Sequence, residues 1–305
     1  MRPVALVGFS HSELQPESPL DEVELTQQVC SSLRDKLGLK QQDIDLVVSG
    51  SCDFLSGRPF VFISALDGLG AVPPIDESHV EMDGAFALYE AWVRLQSGEI
   101  DCALVYAFGR SSQANLNRLL GLQSDPHWGA PLGLDEQAIA GLQASAAGLL
   151  GAGLERLPEA DGAAAVLLAA GDRARQLCPR PAWIRAIDHR IDRSELGQRN
   201  LGQLPALERS AEAVSLSSHQ VEYAELHAVF THQRQMLKTT LGLGDELPTN
   251  QGKTSAFDAF MVSGLMHLGE AAEAVMQGRV KRSLGHASAG PALQQNLLCV
   301  FGDSP

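Results

Sequence analysis

Asp83-Gly84-Ala85-Phe86-Ala87-Leu88-Tyr89-Glu90-Ala91, continued by Ser97-Gly98-Glu99-Ile100-Asp101-Cys102-Ala103-Leu104-Val105, is the stretch on which the reading of this chain turns. Ala85, Leu88, Tyr89, Trp92 and Leu95 fall three and four apart, the apolar stripe of a helix over 84–97. Gly98 stops that helix, and 102–106 reads as a buried strand. Upstream lie a short apolar run at 3–10, a helical pattern at 19–39 with Gly38 at its cap position, and a second strand at 45–50. Strand, helix, strand in that order is an α/β unit around a parallel sheet buried on both faces. The pattern returns downstream. Residues 262–276 read as a helix with Leu265, Leu268, Ala272 and Met276 on one face, Gly278 ends it, and the apolar run 292–301 follows. Two divergent copies of one α/β unit are therefore expected. Between them, 113–159 is rich in Gly, Ala and Leu, and no Lys or Arg occurs from Leu119 to Glu155. Strand character resumes at 161–168, the prolines at 179 and 181 mark a junction, 183–187 reads as a strand and 190–199 as a loop.

Composition narrows the class. The 305 residues carry 23 Lys+Arg against 37 Asp+Glu, a formal charge of −14, and 45% are hydrophobic. Such a chain buries a substantial core and is not intrinsically disordered. Its acidity argues against nucleic acid or an anionic membrane as partner, since phosphate neutralisation needs clustered cations. No apolar run approaches the roughly 18–20 residues of a membrane span. Met1-Arg2-Pro3 runs directly into Val4-Ala5-Leu6-Val7 without the pattern of a signal peptide. Cys30, Cys52, Cys102, Cys178 and Cys299 are scattered, with no CxxC, so neither a zinc site nor a disulfide framework is expected. A soluble, cytoplasmic protein without a metal is the expectation.

Six segments, in order along nearly the whole chain, resemble the thiolase superfamily. They are similar above all to its sterol-carrier-protein-type thiolases and bacterial lipid-transfer-protein relatives. Val4-Ala5-Leu6-Val7-Gly8-Phe9 resembles the opening strand, and 83–105 the nucleophile helix with its following strand. Asp161-Gly162-Ala163-Ala164-Ala165-Val166 resembles a "DGAAA" strand, and Glu225-Leu226-His227-Ala228-Val229-Phe230 an "E-x-H-D-x-F" segment. Pro248-Thr249-Asn250-Gln251-Gly252 resembles "NxxGG", and residues 288–296 the closing "SGPALQQN" region. The resemblance implies an α/β thiolase fold: two duplicated βαβαβαββ halves forming a five-layer αβαβα core with a reduced loop domain. On this chain it divides into 1–112 (first part of the N-terminal half), 113–160 (loop domain), 161–180 (last strands of that half) and 181–305 (C-terminal half).

The same resemblance exposes departures. A thiolase needs a cysteine thiolate at a helix N-terminus, where the dipole and a nearby imidazole lower its pKa. Three residues before Gly84, where that cysteine belongs, stands Glu81. Six residues before Gly264, where a "GHP" histidine belongs, stands Asp258. His227 retains the histidine of its segment, but Ala228 replaces the neighbouring acid. The second cysteine has no counterpart in 284–290; His286 lies close by, and Cys299 too far along. Glu81, His227, Asp258 and His286 are thus the catalytic candidates. Against this, Glu81 and Asp83 also read as ordinary helix N-terminal acids, His227 as a structural histidine, and Cys52 as an incidental buried thiol. Asn250 and Gly252 are candidates for substrate binding. So is Trp128, in His127-Trp128-Gly129-Ala130-Pro131-Leu132-Gly133, as the lining of an acyl tunnel or as a packing residue at a loop anchor. No cofactor is expected, and a coenzyme A thioester enters only as substrate, with cations missing where its phosphates would need them.

Several functions follow. One is a degenerate thiolase acting as a non-catalytic or accessory subunit of a thiolase- or aldolase-type complex on lipid or steroid acyl-CoA thioesters. Its partner would be another copy or a thiolase-like chain docked through the N-terminal half, with a small OB-fold acyl-CoA-associated protein alongside. A second is a retro-aldolase on β-hydroxyacyl-CoA without a covalent acyl-enzyme, although the tyrosines of such aldolases find no match among Tyr89, Tyr106 and Tyr223. A third is an acyl-CoA acetyltransferase with displaced catalytic residues. Decarboxylative condensation ranks last, because it needs the missing cysteine.

Overall fold

The computed structural model describes residues 1–70, 76–122, 126–127 and 129–305. The first half runs β1 (Val4–His11), α1 (Glu22–Leu37), β2 (Leu46–Gly50), α2 (Asp53–Ser56), α3 (Val61–Leu69), β3 (Glu77–Val80), α4 (Gly84–Ser97) and β4 (Cys102–Arg110). Then come α5 (Leu116–Leu122), α6 (Glu136–Ala146), β5 (Asp161–Ala170) and α7 (Gly171–Leu177). The second half runs β6 (Ala182–Ile191), α8 (Pro205–Ala213), α9 (Leu216–His219), β7 (Tyr223–Leu226), α10 (Thr231–Thr240), α11 (Ser263–Met276), β8 (Arg282–Ala289) and β9 (Gln295–Gly302).

Among the described residues the strands form one mixed sheet in the order β3-β2-β4-β5-β1-β6-β9-β8-β7. The duplication is legible in that order. Read outward from the β1–β6 junction, β5, β4 and β2 on one side match β9, β8 and β7 on the other, antiparallel to the junction strand first and parallel at the edge. Thr249, bridging Ala224 in parallel, stands where β3 stands beside β2. Within the sheet, the described residues of the two halves pair at Ala5↔Trp183 and Leu6↔Ala182, and each junction strand is irregular immediately beyond, at Leu6/Gly8 and at Ile184/Ala186. Such bulges bend a strand and sharpen its twist, which lets the two halves of the sheet fold over one helix pair.

Strand alternation then builds the layers. Ala103, Val105 and Ala107 of β4 and Ala164, Val166 and Leu168 of β5 face α4 and α11, as do Ala287, Leu297, Cys299 and Phe301 from the other half. The opposite face, with Leu104, Tyr106, Leu167 and Val7, packs on α1 and α3. Leu226, Leu284, Leu298 and Val300 pack on α8 and α10. The outcome is a five-layer αβαβα stack whose innermost layer is α4 with α11. All ten residues of β5 are buried, and its five alanines keep the strand thin enough for helices on both sides.

Differences from the sequence reading have local causes. The first helix begins at Glu22 because Asp21 and Glu24 form a reciprocal capping box, and it ends at Gly38, φ +64. The apolar run 292–301 is strand only from Gln295, since Ala292 and Leu293 take φ +52 and +56 in the β8–β9 turn. Arg190 and Ile191, read as loop, complete β6. β3 and β8 carry no apolar alternation in sequence and went unread. Among the described residues no helix is long and apolar enough to cross a membrane.

Candidate functional site

The sequence brings two glycine-led helices to one point. A Cβ on Gly84 would stand 2.6 Å from Ala107 Cβ and 2.8 Å from Leu265 Cδ2, and one on Gly264 would stand 2.5 Å from Asp83 Oδ1. Only glycine permits this approach of the first turns of α4 and α11. Gly84 N donates to Met261 O at 3.0 Å across the contact. Between the two N-termini sits one carboxylate. Asp83 caps α4 by accepting from Ala85 N (2.8 Å), and also accepts from Gly264 N (2.9 Å) and Leu265 N (3.0 Å) of α11. This side chain thus satisfies one first-turn donor of α4 and two of α11 at the positive ends of both helices. Burial pushes the Asp83 carboxyl above the usual carboxylate range, against the pull of His227 and the three N–H groups.

Asp83 lines a cavity of about 360 Å³, together with Glu81, Glu136, His227, Asp258, Met261 and the 288–295 turn. His227, 7% exposed, follows β7, and its Nδ1 accepts from Ser288 N of β8 at 3.3 Å. That bond leaves the neutral ring's proton on Nε2. Nε2 has no hydrogen-bond partner among the described residues, and the nearest acid oxygen, Asp258 Oδ1, is 3.8 Å away. Burial works to lower the His227 pKa, but Asp258 and Asp83 outweigh it and hold the ring above the ordinary histidine value. Asp258 moves the other way. Burial would raise it, yet His227, Arg156 and Ser263 hold its carboxyl below the usual range. Arg156 Nη2 meets Asp258 Oδ2 at 2.9 Å, Nε meets Glu136 Oε2 at 2.9 Å, and Nη1 stands 3.5 Å from Glu159. Its guanidinium is therefore committed to carboxylates. Burial, opposed by Arg156, raises Glu136.

Of the sequence candidates, Glu81, His227 and Asp258 converge on the cavity. Glu81 is the most exposed of the three and is bound outward, accepting from Asp53 N at 2.6 Å and lying 3.2 Å from His79 Nε2. His286 does not join them. It is fully buried in β8 with Nε2 3.0 Å from Asn296 Oδ1, and burial drives its pKa down to about 3, so the ring stays neutral. Asn250 and Gly252 also lie outside the cavity lining. Asn250, at φ +51, uses its amide as a strand surrogate, accepting from Leu226 N (2.9 Å) and donating to Leu226 O (2.8 Å). Gly252 N donates to Glu225 Oε1 at 3.2 Å, and a Cβ there would stand 2.7 Å from Glu270 Cδ. Trp128 lies outside the described residues. Cys52 and Cys299 are buried thiols; burial raises Cys52 to about 11 and Cys299 well above its ordinary value, so neither is a thiolate at neutral pH.

Sequence reasoning missed three features. Arg156 is the first cation after the Lys/Arg-free stretch, a signal open to notice. Glu225 is wholly buried and bonded to His267 Nδ1 (2.8 Å) and to the Tyr223 hydroxyl, a polar cluster behind His227, whose ring centroid is 5.5 Å from that of His267. Three of the seven non-glycine residues with positive φ among those described, Met261, Ala292 and Leu293, line the cavity. Backbone strain concentrates at functional sites, and these positions mark this one.

No family model matches the sequence, and comparison with curated proteins finds no match. Solved structures do match. Human mitochondrial 3-ketoacyl-CoA thiolase aligns at TM-score 0.76 and 14% identity, covering 99% of this chain and 99% of that one. The same human enzyme in complex with CoA aligns at TM-score 0.74 and 15% identity, covering 100% and 98%. At such identity the likeness concerns the fold.

Proposed function

Starting from a chain folded as a thiolase from end to end, we propose that it has given up thiolysis and serves as a non-catalytic or accessory subunit beside a thiolase-like chain. That chain would act on lipid or steroid acyl-CoA thioesters. Asp83 carries the reading. A thiolase keeps a nucleophilic thiolate at this helix N-terminus, which activates it. Here Glu81 stands at the cysteine's position, and Asp83, two residues on, occupies the helix N-terminus already bonded to three backbone N–H groups of two helices. Asp258, where an imidazole is expected, is held by Arg156 and is no free base. The neighbour solved with CoA binds that cofactor. In this chain the guanidinium of Arg156 is spent on Glu136 and Asp258, and that of Arg199 on the carbonyls of Pro291 and Ala292, leaving neither available to phosphates. The accessory role implies docking through the N-terminal half, in the cytoplasm, with a thiolase-like partner and a small OB-fold protein as candidates. Affinity purification of the full chain from its host tests this: a thiolase-like chain should co-purify in stoichiometric amount. A stable homodimer with its own CoA-thioester activity would overturn it.

A second reading, retro-aldol cleavage of β-hydroxyacyl thioesters, is favoured by one observation, the unpartnered Nε2 of His227 beside Asp258. Such a step needs a base for the β-hydroxyl and a donor for the enolate, but no acyl-enzyme. Ketone or aldehyde release from β-hydroxyacyl-CoA, abolished in His227→Ala, would establish it; absence of release with and without partners would remove it.

A further inference from the structure

We propose that the cavity binds an uncharged amphipathic molecule, with a carbonyl oxygen accepting from His227 Nε2 and an apolar chain lying against Ile139, Val229, Phe230 and Phe260. This deepens the accessory reading and rests on it, since a working thiolase site must admit the phosphates of CoA.

Two independent observations define the ligand. The first is charge. Glu81, Asp83, Glu136 and Asp258 all line the cavity, while among the described residues Arg156 is shared by Glu136, Asp258 and Glu159, and Arg199 lies against the lining carbonyls of Pro291 and Ala292. Carboxylates outnumber cations even with His227 protonated. A cleft with low-dielectric walls focuses such a field and repels a carboxylate or phosphate. The second is an unmet donor. His227 is 7% exposed, its Nδ1 is occupied by Ser288 N, and its Nε2 on the opposite side of the ring has no partner among the described residues. A buried donor without an acceptor is costly, and a ligand carbonyl oxygen relieves that cost. The volume of about 360 Å³ lies in the range of small-molecule sites, and the apolar side chains of its lining suit an alkyl chain.

A matched series tests the proposal by calorimetry on the full chain: octanamide, octanoate, octylamine and octanoyl-CoA. Octanamide should bind saturably, and octanoate and octanoyl-CoA much more weakly. His227→Ala should weaken octanamide roughly tenfold, the equivalent of one hydrogen bond. Glu81→Lys, on the cavity wall, should strengthen octanoate several-fold relative to octanamide. Circular dichroism verifies that both variants are folded. Octanoate or octanoyl-CoA binding as tightly as octanamide, octylamine binding more tightly, or no octanamide binding by the folded chain would each overturn the proposal. Free thiol released from octanoyl-CoA is read separately. Turnover would overturn the functional reading, whereas a changed binding order without turnover overturns this inference alone.

Discussion

Replacing Asp83 by Ala removes the acceptor shared by Ala85 N, Gly264 N and Leu265 N. An ordinary exposed N-cap is worth ~1 kcal/mol. Asp83 is 4% exposed, so truncation leaves three N–H groups at the joined ends of two buried helices with little water to replace the carboxylate. At about 1 kcal/mol or more for each stranded donor, the expected loss is about 3 kcal/mol. For a chain of this size that lowers the thermal midpoint by about 5 °C. Asp135, the exposed cap of α6 that accepts only from Ala138 N at 2.8 Å, supplies the control. Scanning calorimetry on Asp83→Ala and Asp135→Ala in parallel should show the first loss to be about three times the second. Asp83→Asn, which keeps one acceptor and turns an NH2 group toward the remaining donors, should fall between them. Equal losses for the two alanine variants would refute the reasoning, since Asp83 would then cap one helix and not join two.

Three further outcomes follow from the same geometry. Arg156→Met strands Asp258, whose side chain is 4% exposed, and should cost about 3–5 kcal/mol in urea unfolding; adding Asp258→Asn should recover much of it. His227 has a folded-state pKa above its ordinary 6.5. Its contribution to stability is therefore complete below that value and is lost as pH rises through the folded pKa, so the unfolding midpoint should fall on the alkaline side, and His227→Gln should flatten that slope. His286, with its pKa pushed down to about 3, should show no titration of its ring resonances near neutral pH by NMR.

The architecture was written in patterns a single chain displays. The apolar stripe of α4, the Gly98 stop and the alanine-rich β5 each declare an element, and the second half repeats them. β3 and β8 escaped because Glu77-Ser78-His79-Val80 and Arg282-Ser283-Leu284-Gly285-His286-Ala287-Ser288-Ala289 owe their place to ladder bonds with neighbours, not to apolar alternation. Counting from Gly84 and Gly264 led to Glu81 and Asp258, and both line the cavity with His227. Counting could not reveal what those residues do. Asp83 finds two of its three donors 181 and 182 residues away, and Arg156 meets Asp258 across 102 residues. Proximity to a motif likewise said nothing of burial, which separates His286 from the cavity and gives Asn250 a backbone partner in place of a ligand.

The most direct measurement is thiolysis of acetoacetyl-CoA by the purified full chain, followed as acetyl-CoA formed in the presence of excess CoA. With Asp83 filling the helix N-termini and Arg156 committed to carboxylates, the rate should equal that of buffer alone, for the wild type and for His227→Ala alike. A CoA-dependent rate that scales with protein concentration and disappears in His227→Ala would contradict the account.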